Sequence, residues 1–503
     1  MKRFVKIVFL LITVAMLGSC GNDGENNKNS TTLKALVPNE SGLEWNNGEV
    51  NPVYDFINEA TGFTVQYDSL PAENGDDKLN AIMAAGADYD FILITSKDRY
   101  VDYARNGALM DMKPLVEEYG PNIQTAIEEG SWKEATVGET YYAIPEKDSS
   151  SSDKAYISYG LMFRQDILDT MGMKKPTTTD ELKTVLKTFK DTDPMGNGNA
   201  SIPLTGSIYD MGMLRQNSLG GAFGVDLDWK DINGELVPYQ MNAGYYDFLM
   251  YLYELYSEGL IDAEMPTNEG SNVMEKFTTG LSIARMDGYW DTPNLMSTFE
   301  QTDPNAVLSF AQPIAKNGVA SNRASVASLA KRFTVIPANS KNYENTMKFL
   351  DKKLEPEIFK EIVIGKEGVE HTVDESGSYY PILPTFFENR GTANAYLTGV
   401  TKAYKDYWLA RARKDPNQYS VFAEINFDYG NFINKDVSTE VPLEIFSMVD
   451  SESKNVSNIT EEFMVNSIVN GITKEEFARF QEKYLAEGGQ VLIESYNQWY
   501  QNK

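Results

Sequence analysis

The chain has 503 residues, 42% of them apolar and 23% charged, with 73 acidic against 45 basic side chains and a formal net charge of −28. That length implies two or more units, and so acidic a body repels nucleic acid and anionic lipid at long range, although local arginines can still hold an anionic ligand. One cysteine rules out an internal disulfide, and a single histidine, His371, speaks against a His-based metal site or a Ser/His/Asp triad and for a structural role.

At the N-terminus Lys2, Arg3 and Lys6 precede an apolar run from Ile7 to Met16, the layout of a signal peptide. Leu17-Gly18-Ser19-Cys20 follows. It resembles the bacterial lipoprotein cleavage box, which needs small side chains near the cut and a thiol to carry diacylglycerol. Residues 1–19 therefore read as a signal peptide and Cys20 as the lipidation site. Residues 20–31 hold almost no apolar side chain and read as a flexible tether. No later run is long enough to cross a bilayer.

Leu33 to Val37 reads as a strand. Val53, Phe56, Ile57 and Ala60 make a helical stripe, with Gly62 suited to the position just past its end. Phe63, Val65 and Tyr67 alternate as a strand does. Leu79, Ile82 and Met83 mark a second helix, and Phe91 to Ile94 a buried strand. Strand, helix, strand, helix, strand is a parallel α/β unit, in which ligands gather at the carboxyl ends of the strands. That rule puts Asn39 to Trp45 and Thr95 to Lys97 at one rim. Gly138 to Pro145 reads as a hairpin strand, and Ser149 to Asp153 as the crossing into a second lobe.

Tyr159 to Phe163 opens that lobe as a strand ending at Arg164. Thr178 and Glu181 have capping-box spacing, and Leu182, Val185, Leu186 and Phe189 share one helical face. Tyr246, Leu249, Leu252, Tyr253 and Tyr256 make a tyrosine row that reads as core. Ser282 to Met286 is a strand that opens into Gly288-Tyr289-Trp290, where two aromatics in a loop could stack on a sugar. Val307 to Pro313 and Phe333 to Pro337 mark the return crossing, and the C-terminal third is mostly helical.

Several segments in this order resemble the bacterial extracellular solute-binding proteins of family 1, in the long lipoprotein branch related to alginate-binding proteins. They are Leu79-Asn80 to Gly86 with Tyr89-Asp90, then Phe163-Arg164-Gln165-Asp166, Pro176 to Leu182, Asp193-Pro194 with Gly196-Asn197-Gly198, and Gly471 to Tyr496. The resemblance implies an α/β, two-lobed periplasmic-binding-protein-like fold of type II, with mixed sheets flanked by helices and a hinge between lobes. Lobe 1 would comprise residues 32–150 and 320–378. Lobe 2 would comprise residues 155–315 and 380–503, including the C-terminal helices. Gly288-Tyr289-Trp290 is similar to the Gly-Pro-Trp segment of maltose-binding proteins, where the tryptophan stacks on sugar; here tyrosine replaces proline.

In this branch a loop like Asp193 to Ile202 can hold calcium. Asp193, Asn197 and Asn199 fill three liganding positions, but Met195, Ser201 and Ile202 stand where further oxygen ligands would be. The expectation is a structural turn and no cofactor, with calcium as the alternative. The implied function is capture of a small solute, foremost an oligosaccharide, by hinge closure without chemistry. The partners would be ABC permease subunits and the membrane through Cys20, with no nucleic acid. Candidate ligand contacts are Glu40, Trp45, Ser96, Tyr142, Arg164, Tyr289 and Trp290. Arg164, Arg215 and Arg285 are candidates to pair a carboxylate or sulfate. A secreted glycosidase using two carboxylates and a ligand-presenting partner of a membrane sensor are the competing readings.

Overall fold

The computed structural model describes residues 31–39, 51–71, 73–147, 156–316, 318, 323–325, 330–429, 433–435 and 440–503. Cys20, Glu40 and Trp45, the signal segment, residues 20–30 and the crossing at Ser149 to Asp153 lie outside them.

The first lobe begins as its periodicity predicts: β1 (Thr32–Val37), α1 (Pro52–Thr61), β2 (Thr64–Ser69), α2 (Gly75–Ala84) and β3 (Phe91–Ile94). Asn51 starts α1 by accepting the N–H groups of Val53 and Tyr54, and Pro52 sits in the first turn, where no N–H is needed. Gly62 ends the helix with a left-handed φ of 76°. Val53 and Ile57 point inward. Strand β1 pairs in parallel with β2 and β3, and β3 is buried on both faces. Helix α3 (Lys97–Arg105) leaves the carboxyl end of β3, and β4 (Ala143–Lys147) follows.

The second lobe comprises β5 (Tyr159–Arg164), α4 (Thr179–Thr192), β6 (Ile202–Leu204), α5 (Ile208–Leu214), α6 (Ala243–Ser257), β7 (Ser282–Gly288) and β8 (Leu308–Phe310). Its sheet runs β8-β5-β7-β6, with β5 antiparallel to both neighbours and β6 parallel to β7. The chain then returns. Strand β9 (Ala330–Val335) enters the first sheet between β3 and β4, antiparallel to both.

In α4 the four predicted residues, Leu182, Val185, Leu186 and Phe189, are all buried. Its start differs from a full capping box. Thr178 Oγ1 accepts the Glu181 N–H at 3.2 Å, but the Glu181 carboxylate turns to Thr177, whose N–H and hydroxyl both reach one oxygen, at 2.8 and 2.7 Å. Two donors on one residue outbid the single N–H of Thr178. In α6 the buried stripe is Tyr245, Phe248, Leu249, Leu252 and Leu255. Tyr251 and Tyr256 flank it, where their hydroxyls reach the carbonyls of Thr179 and Ala263 at 2.8 and 3.1 Å. Tyr245 therefore fills the core, while Tyr246, Tyr251 and Tyr256 pack along its edge.

The C-terminal helices include α7 (Leu443–Met448), α8 (Asp450–Asn470) and α9 (Lys474–Tyr484). Leu443 of α7 belongs to a core of the first lobe, whereas Val456, Met464 and Ile468 of α8 and Phe477 and Phe480 of α9 pack into the second. The first lobe's core also takes in Phe386 and residues from Ala393 to Ala410, so a lobe change at residues 378–380 is too early. The helix Pro356–Ile364 needs an outer cover there, which Tyr404 and Tyr407 supply against Phe359. Ala412, Val421, Phe422 and Ile425 are the residues that join the second lobe's sheet. No helix among the described residues is long and apolar enough to cross a membrane.

Candidate functional site

Strand β7 is buried along its whole length and ends at Gly288. The next three residues, Tyr289–Asp291, turn in a single 3₁₀ loop that buries the first aromatic and exposes the second, their rings meeting edge-on with centroids 5.6 Å apart. Tyr289 is 3% exposed and Trp290 is 44% exposed. The indole lies across Gly288, where an added Cβ would come within 2.5 Å of the ring. Gly288 has an ordinary φ of −96°, so glycine supplies room there, not an unusual backbone. Tyr159 pairs with Gly288 across β5 and β7 and meets the indole edge-on, with ring centroids 4.6 Å apart at 88°. Tyr209 of α5 is 62% exposed and stands within hydrogen-bonding reach of Tyr159. Three aromatics thus form an open corner at one end of the second sheet.

Tyr209 also borders a cavity of about 700 Å³ between α5 and α8, edged with Gln216, Asp228, Ser457 and Glu461. Where α8 begins, Lys454 Nζ comes to 4.0 Å from Asp98 of α3. On the first lobe, Asn39, Leu70, Asp76, Asp77 and Thr95 line a hollow of about 520 Å³ at the carboxyl ends of β1, β2 and β3, where the parallel-sheet rule expects a ligand. Ser96 sits at this rim but caps α3, its Oγ accepting the Arg99 N–H at 3.4 Å. Tyr142 is half-buried, and its N–H donates to the Tyr100 hydroxyl at 3.1 Å.

Two expected contacts are corrected. Tyr289 faces the core: its ring packs on Phe422 with centroids 5.0 Å apart, and its hydroxyl accepts the Trp408 indole N–H at 3.2 Å. It supports Trp290 from behind and offers no face to a ligand. Arg164 is fully buried. Its Nε and Nη2 donate to Asp166 at 2.9 and 2.6 Å, Nη2 also pairs with Asp303, and the guanidinium lies over the Phe299 ring. A guanidinium out of water must be paired this way; its Nη1 is buried without a hydrogen-bond partner, so burial rather than full pairing closes the group off from a ligand. Arg215 is likewise taken by Asp228 and the Val225 carbonyl and stacks 3.7 Å over Tyr239. Arg285 Nε sits 3.1 Å from Asp287 Oδ2.

The Asp193 loop closes on itself. Asp193 Oδ1 accepts the Asn197 N–H at 2.7 Å and the Ser201 hydroxyl at 3.0 Å, and Oδ2 accepts the Gly198 N–H at 2.8 Å. These donors, the Gly198 N–H foremost, hold the carboxyl below its ordinary range. The Asn197 amide donates to the Gly280 carbonyl at 2.8 Å, and Asn199 is exposed. Calcium asks for six to eight oxygens. Here the one carboxylate already accepts three protein donors, and Met195, Ser201 and Ile202 add no second one, so the donor set does not fit that ion. Among the described residues no group of three His, Cys, Asp or Glu side chains could hold a metal. His371 is buried with Nδ1 3.0 Å from the Ile364 carbonyl, a structural placement.

Sequence patterns did not single out Tyr159, Tyr209 or Asp287. With 29 tyrosines in the chain, no composition signal separates two of them. Asp287 is 6% exposed, and burial pushes its carboxyl up to about 7, against the pull of Arg285 and with help from Asp291 and Asp210. A carboxyl raised on folding stabilises the protein fully below its unfolded value of about 3.9. That contribution is lost as pH climbs through the folded value. The stability of the natural chain relative to Asp287→Asn should therefore fall between pH 4 and pH 8 in chemical unfolding; a pH-independent difference would refute the assignment. Gly288→Ala should drive the indole off the strand and change tryptophan fluorescence, and the change should vanish in a Trp290→Phe background. Persistence there would place its origin at another tryptophan.

The family model described as bacterial extracellular solute-binding protein matches residues 26–357. An uncharacterized protein in the butB 5′ region of Niallia circulans is 35% identical over 261 residues, 51% of this chain and 99% of that one. The polygalacturonan/rhamnogalacturonan-binding protein YtcQ of Bacillus subtilis (strain 168) is 22% identical over 459 residues, 88% of this chain and 86% of that one. The structure of the Streptococcus pneumoniae ABC-transporter substrate-binding protein FusA in complex with kestose superposes with a TM-score of 0.72 at 18% identity, covering 94% of this chain and 99% of that one. Two sheets with separate cores, an open aromatic corner and a family match over most of the chain agree: this chain belongs to the bacterial extracellular solute-binding proteins.

Proposed function

We propose that the chain is a lipid-anchored binding protein that captures an oligosaccharide and hands it to the permease subunits of an ABC importer. The observation that carries this reading is the open indole of Trp290, held on Gly288 and flanked by Tyr159 and Tyr209. A flat aromatic face matches the C–H face of a sugar ring, and its rigid mounting leaves little rotamer freedom to lose on binding. Covering such a ring contributes about 1.5–3 kcal/mol. Two relatives with sugar ligands in their names or structures support the class, polygalacturonan/rhamnogalacturonan for one and kestose for the other. The event is closure of two lobes around the ligand, with no bond made or broken. Ser96 and Tyr142 of the first lobe and Glu40 and Trp45 beyond β1 remain proposed contacts from the opposite wall.

A thermal-shift screen of the mature chain over oligosaccharides should yield a stabilising ligand, about 2.7 kcal/mol at a hundred times Kd. Trp290→Ala should weaken that ligand about 10- to 100-fold. Recovery of shortened sugar after incubation would mean a hydrolase instead. Anchoring rests on the Leu17-Gly18-Ser19-Cys20 box and the polar stretch behind it. In a bacterial host, Cys20→Ala should move the chain from the membrane fraction to the soluble one; retention on membranes would remove the lipid from the proposal.

A further inference from the structure

Resting on the oligosaccharide reading, we infer that this site takes an uncharged or amine-bearing sugar and excludes one that carries carboxylates. A uronate needs a cation at its binding wall, best a guanidinium whose two N–H groups fit both oxygens. The second lobe has three arginines near its sheet, and each is spent inside the protein. Arg164 is enclosed by Asp166, Asp303 and Phe299. Arg215 borders the cavity but is bound to Asp228 and the Val225 carbonyl and stacked on Tyr239. Arg285 lies against Asp287 and over Phe277.

Among the described residues, the groups around Trp290 and lining the two hollows are mostly acids. Trp290 has Asp291 on its own loop, the buried Asp287 at the end of β7 and Asp210 nearby on α5, close enough that both Asp210 and Asp291 raise the Asp287 carboxyl. Asp210 holds Ser207 through the Ser207 N–H and hydroxyl, at 2.7 and 2.8 Å, and Asp291 accepts only the Asn294 amide at 3.3 Å. The cavity beside Tyr209 adds Glu461, and its one basic lining residue among those described, Arg215, is balanced by Asp228. The hollow on the first lobe adds Asp76 and Asp77, with no basic residue among the described ones that line it. Where α3 meets α8, Lys454 is paired with Asp450 at 2.5 Å; burial lowers the Lys97 ammonium below its ordinary range, and Glu134 and Asp98 only partly oppose that.

Asp287 adds a separate sign. Its Oδ2 is buried and has no hydrogen-bond partner, although Arg285 Nε lies 3.1 Å away off the bonding direction. Once ionised, above about pH 7, that oxygen accepts from a hydroxyl or ammonium donor and repels a ligand carboxylate. The wall thus suits hydroxyl donors, tolerates positive charge and opposes negative charge. The pectin-type specificity in the name of the Bacillus subtilis relative would not carry over, whereas a neutral sugar such as kestose is of the favoured type.

The test is calorimetric titration of the mature chain with three panels of two to five units: neutral fructo- and gluco-oligosaccharides, glucosamine oligosaccharides, and oligogalacturonates. The tightest ligand should come from the first two panels, with every oligogalacturonate at least ten-fold weaker. An oligogalacturonate as the tightest ligand, lost in Trp290→Ala, would overturn the charge inference and leave the sugar-binding reading intact. Binding that Trp290→Ala does not alter, or silence across all three panels, would overturn that reading and the inference with it.

Discussion

Arg164 is fully buried and has to be paired, and the second lobe is assembled around that requirement. The residue ends β5, the strand between β7 and β8. Its guanidinium reaches Asp166 in the following helix and Asp303 at the end of the helix Thr292–Thr302. Asp166 also accepts the Val307 N–H at 2.9 Å, which fixes the entry into β8. One cation therefore fastens the strand, the two segments beside it and the helix that begins directly after Trp290. Register follows from this. Arg164 stands opposite Leu308, and at the far end of the strand Tyr159 stands opposite Gly288. A slip of one residue would turn Tyr159 away from the indole and bury the wrong face of the strand.

The aromatic corner draws its rigidity from the core behind it. Tyr289 is anchored by Phe422 and the Trp408 indole N–H, and it lies one residue from a tryptophan that is nearly half exposed. An isolated exposed aromatic is common on protein surfaces. Here the neighbours make the difference. Gly288 clears the space below the ring, Tyr159 stops its edge, and a buried residue fixes the turn it stands on. Exposure combined with immobility marks a surface shaped for contact, because an unconstrained tryptophan at a strand end would fold back over its own lobe.

Local pattern made the elements legible. The strand–helix alternation of the first lobe, the inward face of α4, the left-handed glycine after α1 and the exposed loop at Trp290 each depend on residues within about one turn or one strand of each other. The misses share the opposite property. Arg164 read as a ligand contact because its partner Asp303 is 139 positions away. Tyr289 read as a second stacking ring because its partner Trp408 lies 119 positions away. The lobe boundary was set too early because Tyr404 and Tyr407 reveal their side only by packing on Phe359. Tyr209 was invisible because its value lies in a neighbour across the sheet. In the Asp193 loop the residue types were readable, and the geometry added that the carboxylate already accepts three protein donors.

The C-terminal segment shows how the lobes can be joined without being fused. Its hold on the first lobe is narrow: Leu443 in the core, Arg105 donating to Ser447 at 2.8 Å, and Lys454 4.0 Å from Asp98. Lys454 is 64% exposed, and exposed pairs of that kind contribute about 0–1 kcal/mol and weaken in salt. Asp450 lies beside Asp98 as a like charge and helps raise its carboxyl. Its hold on the second lobe is broad, through Val456, Met464, Ile468, Phe477, Phe480, Leu492 and Tyr496 in one core. By that imbalance α8 and α9 belong mechanically to the second lobe, and α7 straddles the two, with Leu443 in a first-lobe core and Ile445 and Phe446 packed on the second. The cavity between α5 and α8 then has both walls on one rigid body.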